Sequence, residues 1–430
     1  MATTESTKSA VTPIKRPADP YIWGVYILLC VISLIETYSA SSREVAMSGV
    51  YMPIVRHAVF LLLGAGIVMA LQRIPYQRII RWIPWYALIT FILLIWAQFF
   101  GRNLNEAQRA VYILGVSIQP AEMAKLGVVL LMAWIMAKNQ EPKGVRTRGL
   151  VLSSACILMF GVFVFQQGLT NTILLMSINL SMVIISGTQW RKFLALFFVY
   201  IALAGAYWAL KPDAKSSQSG QASTEAFTST ATRRAPTQAN RIKRWLGWGD
   251  TLELYEKPIT DENAQEMYSR LAQANGGVTG VLPGNSRESV ELPLAFSDYV
   301  YSIIVEDLGL VGGIVVLVLY LWLFSRAGYI AQRCNRALPA LLIMGCAVFV
   351  VLQALFHMAI NVGVFPVSGQ PLPLISKGGT SILVISMAFG VMLSVSSSAA
   401  MDGNKKESRA ELSILPDDMA GVNLGQITKD

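Results

Sequence analysis

Charge is scarce in this chain. Only 14% of its 430 residues are Asp, Glu, Lys or Arg, where a soluble protein carries about 25%. With 54% hydrophobic residues and a mean hydropathy of +0.50, too little polar surface remains for a water-facing exterior. The composition points to lipid as the surrounding solvent and excludes intrinsic disorder and collagen. Cysteine is equally sparse. Cys30, Cys156, Cys334 and Cys346 lie in or beside apolar runs, so neither a disulfide scaffold nor a thiolate metal framework is expected. The two histidines, His57 and His357, are far apart, and a zinc site is not expected either. GxxxxGK[ST], a GxGxxG after a strand, HExxH, CxxC and GxSxG are all missing. Nucleotide-driven work and the common hydrolase chemistries therefore have no support.

What is present is a series of long apolar runs. A helix needs about 20 mostly apolar residues to cross the hydrocarbon core. Ten stretches qualify: 21–40, 54–72, 82–100, 119–137, 149–167, 169–187, 192–210, 303–325, 338–360 and 378–397. The expected fold is an all-α integral membrane bundle of about ten spans. Residues 1–20 form an N-terminal tail, 21–398 the membrane domain and 399–430 a C-terminal tail. The N-terminal segment lacks a charged-then-apolar start and a small-residue cleavage site, so the first span is expected to stay in the protein. Trp23, Trp82, Trp85, Trp190, Trp208 and Trp322 at span ends suit interface anchors.

Lys and Arg then set the orientation. They crowd into alternate short connections (Arg73, Arg78, Arg81; Lys138, Lys143, Arg146, Arg148; Arg191, Lys192; Arg326, Arg333, Arg336) and are thin in the others (Arg43, Arg56, Arg102, Arg109, Lys377). Both termini are therefore expected in the cytoplasm. The net charge of +9 is a topology signal, and no nucleic-acid partner is implied. Residues 211–297 form a long extracytoplasmic loop before the eighth span. Its first part is rich in Ser, Thr, Ala and Gln. The segment RIKRWLGWGDTLELYEK that follows, with Trp245, Leu246 and Trp248 beside Arg241, Lys243 and Arg244, suits a membrane surface.

Three polar groups lie on the expected outer side of the bundle. In QPAEMAKLG, Gln119, Glu122 and Lys125 recur every three residues and share a helix face. One reading is a structural ion pair with Lys125 snorkelling outward; the other is a phosphate-binding wall with Arg109 as second cation. In LPLAFSDYVYSIIVEDLGLVGG, Asp298 sits where the loop enters the eighth span, with Glu306 and Asp307 farther along. Asp298 reads either as an ordinary helix-start acid, with Ser297 as cap, or as an acid facing an aqueous cavity. In FPVSGQPLPLISKGGTS, the prolines and glycines oppose a continuous helix. Lys377, Gly378 and Gly379 could present an ammonium and bare backbone N–H groups to an anion. Gly309 and Gly313 form a GxxxG suited to close helix packing.

Taken together and in order, these segments resemble the SEDS family (shape, elongation, division and sporulation proteins). QPAEMAKL is similar to its QPSE-x-KL element. GGVTGVLPGNS and LPLAFSDYVYSIIVEDLGLVGG resemble its GG-x-x-G-x-G-x-GNS and LPEA-x-(T/S)DFIF-x-x-x-EELG segments. VFPVSGQPLPLISKGGTSIL is similar to its TG-x-(T/P)LP-(F/L)-(I/V)SYGG(S/T)S signature. The LPLIS wording leans towards the division member rather than the elongation member. Departures are Lys377 for the usual Tyr, Leu294 for the usual Glu, and Gln166-Gln167-Gly168 where QPD-x-G is common.

The resemblance implies a peptidoglycan glycosyltransferase of the bacterial cytoplasmic membrane, placed at the division septum. It would polymerise lipid II, a polyprenyl-pyrophosphate-linked disaccharide pentapeptide, into β-1,4 glycan strands. Asp298 carries over as the essential acid and is assigned as general base. Arg109, Gln119, Glu122, Lys125, Ser286, Glu291, Ser376, Lys377, Gly378 and Gly379 are the expected substrate-binding residues. No cofactor is demanded; magnesium or manganese is compatible, but no ligand cluster calls for it. Implied partners are a class B penicillin-binding protein acting as transpeptidase, other division proteins and membrane lipid. A lipid II flippase is the rival reading from another class, since polar residues inside a bundle would also line a transport path.

Overall fold

The computed structural model describes residues 18–41, 49, 51–100, 102–104, 107–113, 116–141, 144–209, 245, 258–260, 263–292 and 295–414. The predicted surface segment 241–257 therefore lies outside the described residues except for Trp245, whose indole donates to Gly363 O at 3.0 Å.

Every one of the ten expected stretches carries a helix. Helices α1 (Pro20–Ala40), α2 (Tyr51–Arg73) and α3 (Tyr76–Phe100) come first. A three-stranded antiparallel sheet follows, made of β1 (Arg102–Leu104), β2 (Ala107–Ile113) and β3 (Val116–Ile118). Next are α4 (Pro120–Lys138), a hairpin of β4 (Gln140–Glu141) and β5 (Gly144–Val145), then α5 (Thr147–Gln167), α6 (Leu169–Ile185) and α7 (Trp190–Ala209). After the long loop come α8 (Ala264–Gly276), α9 (Glu288–Glu291) and α10 (Ala295–Asp298). The chain ends in α11 (Val300–Gln332), α12 (Ala337–Asn361) and α13 (Gly379–Ile414). Eight of these, α1 to α5 and α11 to α13, are long and apolar enough to cross a membrane; α6 is a shorter apolar helix.

Local chemistry explains several boundaries. Pro120 opens α4, where its missing N–H is not needed. Gly168 alone separates α5 from α6, in agreement with the tight connection expected there. The sheet is not foreseen by the sequence reading, which places these residues in a short connection between two spans. Helix α13 also runs past the expected end of the membrane domain, continuing to Ile414.

Helices α4, α12 and α13 form the centre, with at least 72% of their apolar windows buried, whereas α2, α3 and α11 bury 28% or less and keep a lipid-facing side. Between apolar helices in lipid, close packing replaces the hydrophobic drive found in water. The contact of α2 with α13 shows it: a Cβ on Gly64 would stand 2.4 Å from Ser386 Oγ, which itself bonds Tyr26 Oη at 3.0 Å.

Helix α11 is broken at Gly309 (φ 71°, ψ −175°), a conformation open to glycine and costly to other residues. The Gly-rich loop takes up the carbonyls freed at the break. Val281 N donates to Glu306 O at 3.0 Å, Leu282 N to Asp307 O at 2.8 Å, and Leu310 N to Gly277 O at 3.0 Å. The GxxxG therefore does not act as one packing motif. Gly309 makes the break, and Gly313 gives room to Tyr301 and Val305 of the preceding segment.

Candidate functional site

Asp298 ends α10 and is half-buried. It does not cap α11: Tyr299 holds the N-cap position, without a side-chain cap bond. The cap expected at Ser297 thus falls on Tyr299, and Asp298 stands one residue before it. Two elements hold the residue. Asn361, at the end of α12, donates to Asp298 O at 3.2 Å and to His357 O at 2.9 Å. Its Oδ1 accepts from Ser302 N at 3.1 Å and Ser302 Oγ at 2.9 Å. On the other side lies Gly369, where a Cβ would come within 2.9 Å of Asp298 Oδ2. The loop carrying Gly369 is also tied to α10 by Lys377 N, which donates to Phe296 O at 3.0 Å. The carboxylate thus stands at a joint of three segments, beside the bare backbone of Gly369.

Gln370, one residue on, belongs to a second polar group. Lys125 is fully buried and pairs with Glu122 Oε1 at 2.7 Å. Its ammonium also donates to Gln353 Oε1 at 3.1 Å and Gln370 Oε1 at 3.4 Å. All three protons are committed, so Lys125 points into the bundle and does not snorkel. Gln353 returns a bond to Glu122 Oε2 at 3.4 Å and another to Pro371 O at 3.2 Å. Gln370 donates to Asn171 Oδ1 at 2.8 Å, and its carbonyl meets His357 Nδ1 at 2.6 Å. A buried charge is tolerable only when paired and hydrogen-bonded in this way.

The other expected residues are distributed around these two groups. Gln119 is exposed at the start of α4, and its N–H donates to Thr380 Oγ1 at 3.3 Å. Ser376 is buried and accepts from Leu372 N at 2.7 Å, which fixes the loop's own turn. Gly379 lies against the Phe60 ring, and Gly378 and Lys377 beside it are partly exposed. Ser286 donates to Glu306 Oε2 at 2.5 Å, while Arg287 N donates to Glu306 Oε1 at 3.0 Å, so Glu306 anchors the start of α9. Glu291 is exposed at the end of α9. Glu288 nearby has its carboxyl pushed up, first by partial burial and then by the charge of Glu306. Arg109 falls on β2, and its side chain lies outside the described residues.

The sequence reading missed Gln353, His357 and Asn361. Their spacing of four along α12 is a signal it could have used, because it puts three polar side chains on one face of a very apolar helix. The outward side of α2 carries an apolar hollow lined by Val59, Leu62, Leu63, Gly66, Ile67 and Ala70. Among the described residues, no group of three or more His, Cys, Asp or Glu is gathered to hold a metal ion.

Residues 20–401 match the model of the cell cycle protein family of FtsW, RodA and SpoVE. A probable peptidoglycan glycosyltransferase FtsW of Trichlorobacter lovleyi is 26% identical over 401 residues, covering 89% of this chain and 95% of that protein. The peptidoglycan glycosyltransferase MrdB of Escherichia coli strain K12 is 25% identical over 381 residues, covering 88% and 93%. Among solved structures, a chain from a peptidoglycan synthase complex that coordinates polymerization and crosslinking superposes with a TM-score of 0.68 at 22% identity, covering 89% of this chain and 98% of that one. The rod shape determining protein RodA of Thermus thermophilus gives 0.59 at 19% identity, covering 88% and 96%. At these identities the structures establish the shared fold.

Proposed function

This chain belongs to the FtsW, RodA and SpoVE family of cell cycle proteins, and from that premise we propose that Asp298 is the general base of a glycan polymerase working on lipid II. The protein is a peptidoglycan glycosyltransferase of the division type, as its FtsW relatives are named. The observation that carries the assignment is the placement of Asp298: half-buried, at the joint of α10, α12 and the 366–378 loop, with bare glycine backbone beside its carboxylate.

The reaction needs one proton removed and one leaving group stabilised. The 4-hydroxyl oxygen of the acceptor's N-acetylglucosamine attacks the donor's anomeric carbon, and its proton passes to the Asp298 carboxylate. The bond from that carbon to the polyprenyl pyrophosphate breaks in the same displacement, so the α-linked donor yields a β-1,4 link. A positioned base contributes roughly 10²–10⁴-fold. The departing pyrophosphate spreads its charge over phosphate oxygens, which cations stabilise without an acid. Lys377 and Arg109 take this role, and Lys125 supports the loop from within. The apolar hollow on α2 offers the polyprenol a lipid-side path. This reading demands no cofactor and is compatible with magnesium or manganese. A class B penicillin-binding protein is the partner that crosslinks the product, and both termini lie in the cytoplasm.

The test is synthesis of glycan strands from purified lipid II. Asp298→Asn keeps shape and insertion but has no basic oxygen pair, so it should fold like the parent and make no polymer. Polymer at the parental rate would remove the base assignment.

A further inference from the structure

Behind the Asp298 segment stands a histidine for which the reaction above has no use. His57 lies on α2 and is only 3% exposed. Its Nε2 is 2.6 Å from Ser33 Oγ on α1, and Ser33 Oγ donates its single proton to Ile375 O at 3.1 Å. The hydroxyl has no second proton to give, so the network assigns the proton of that short contact to His57 Nε2. The relay runs from the imidazole N–H through Ser33 to the carbonyl of Ile375, in the loop that also carries Gly369. The face of the same ring packs on Phe296, with centroids 5.0 Å apart. Phe296 belongs to α10, the four-residue turn that Asp298 ends. Its carbonyl is also the one that receives Lys377 N from the loop.

One side chain therefore reaches both halves of the joint in two different ways, through the Ser33 hydroxyl to the loop and by ring contact to α10. We propose that His57 is a positioning residue that clamps α10 and the 366–378 loop to α1 and α2, fixing where the Asp298 carboxylate stands. An ordinary core histidine would need only one satisfied nitrogen and a snug cavity. The division of labour here is more specific, because neither α10 nor the loop is long enough to hold its own position. Displacement of a catalytic group by about 1 Å is worth roughly 10²-fold in rate. The inference rests on the reading of Asp298 as base.

The experiment uses full-length protein purified in detergent, with lipid II as substrate and kcat, KM and thermal unfolding measured together. His57→Ala should lower kcat by about 10²-fold with KM within about twofold of the parent. His57→Gln places an amide N–H where Nε2 was and should recover about tenfold or more of that loss. His57→Phe keeps ring contact without the donor and should recover less. Ser33→Ala, which fits a helix without strain, cuts the relay alone and should lower kcat about tenfold even where His57→Ala folds poorly. Parental kcat in Ser33→Ala, or a His57→Ala loss that neither Gln nor Phe relieves, would overturn the clamp. Asp298→Asn in the same assay separates the two readings. If it is inactive while His57→Ala and Ser33→Ala match the parent, only the clamp fails; if it is active, the base assignment fails and the clamp falls with it.

Discussion

The Glu122–Lys125 pair and Asp298 are reached by adjacent residues of one loop, Gln370 at Lys125 and Gly369 at Asp298, yet the two acids sit in opposite surroundings. Glu122 is buried and bound to a buried Lys125, with Gln353 and Gln370 completing the shell. Asp298 stays half-buried, with backbone glycine against its carboxylate. The first arrangement buries a satisfied charge; the second leaves an acid half-buried beside bare backbone. In a membrane bundle both cost free energy, and one loop joins the two groups.

The sharpest way to break this comparison is to leave Glu122 without its partner. Lys125→Met should destabilise the protein by about 3–5 kcal/mol, the cost of an uncompensated buried charge. Glu122→Gln combined with Lys125→Met should recover most of it in thermal unfolding. Equal stability of single and double variants would show that the pair is not the dry contact described. Next in size is Gly369→Ala. The added methyl must displace the Asp298 carboxylate or the loop, so kcat should fall about 10²-fold, equivalent to about 2.7 kcal/mol, with little change in melting. Gln353→Leu removes a donor and an acceptor from the buried shell and should cost about 1–3 kcal/mol, read as a lower melting temperature. Smallest is Gln119→Ala: its side chain makes no cap bond and the residue is exposed, so stability should stay within about 0.5 kcal/mol. A large loss there would extend the rigid group outward to the start of α4.

The same two regions show how far the sequence could be read. The spacing of Glu122 and Lys125 put both on one helix face, and that is where they lie. Whether Lys125 points to the interface or into the bundle is not written in α4, because the direction depends on Gln353 from α12 and Gln370 from the distant loop. Asp298 was picked out by its motif, but its place one residue before the cap became visible only through the φ/ψ of Tyr299 and the start of α11. Gln353, His357 and Asn361 were overlooked because a few polar residues hardly alter the hydropathy of a long apolar helix. Their spacing of four marks a polar face, but nothing in α12 says what that face meets.

The helices themselves, and the solvent they need, were determined by the sequence alone. Apolar length and sparse charge are local, additive properties, and hydrocarbon about 30 Å thick reads them directly. The tertiary structure decided which charges are buried in paired groups and which stand half-exposed where segments meet. That choice depends on the partner that stands opposite each group at about 3 Å, and such partners come from segments far apart in the chain.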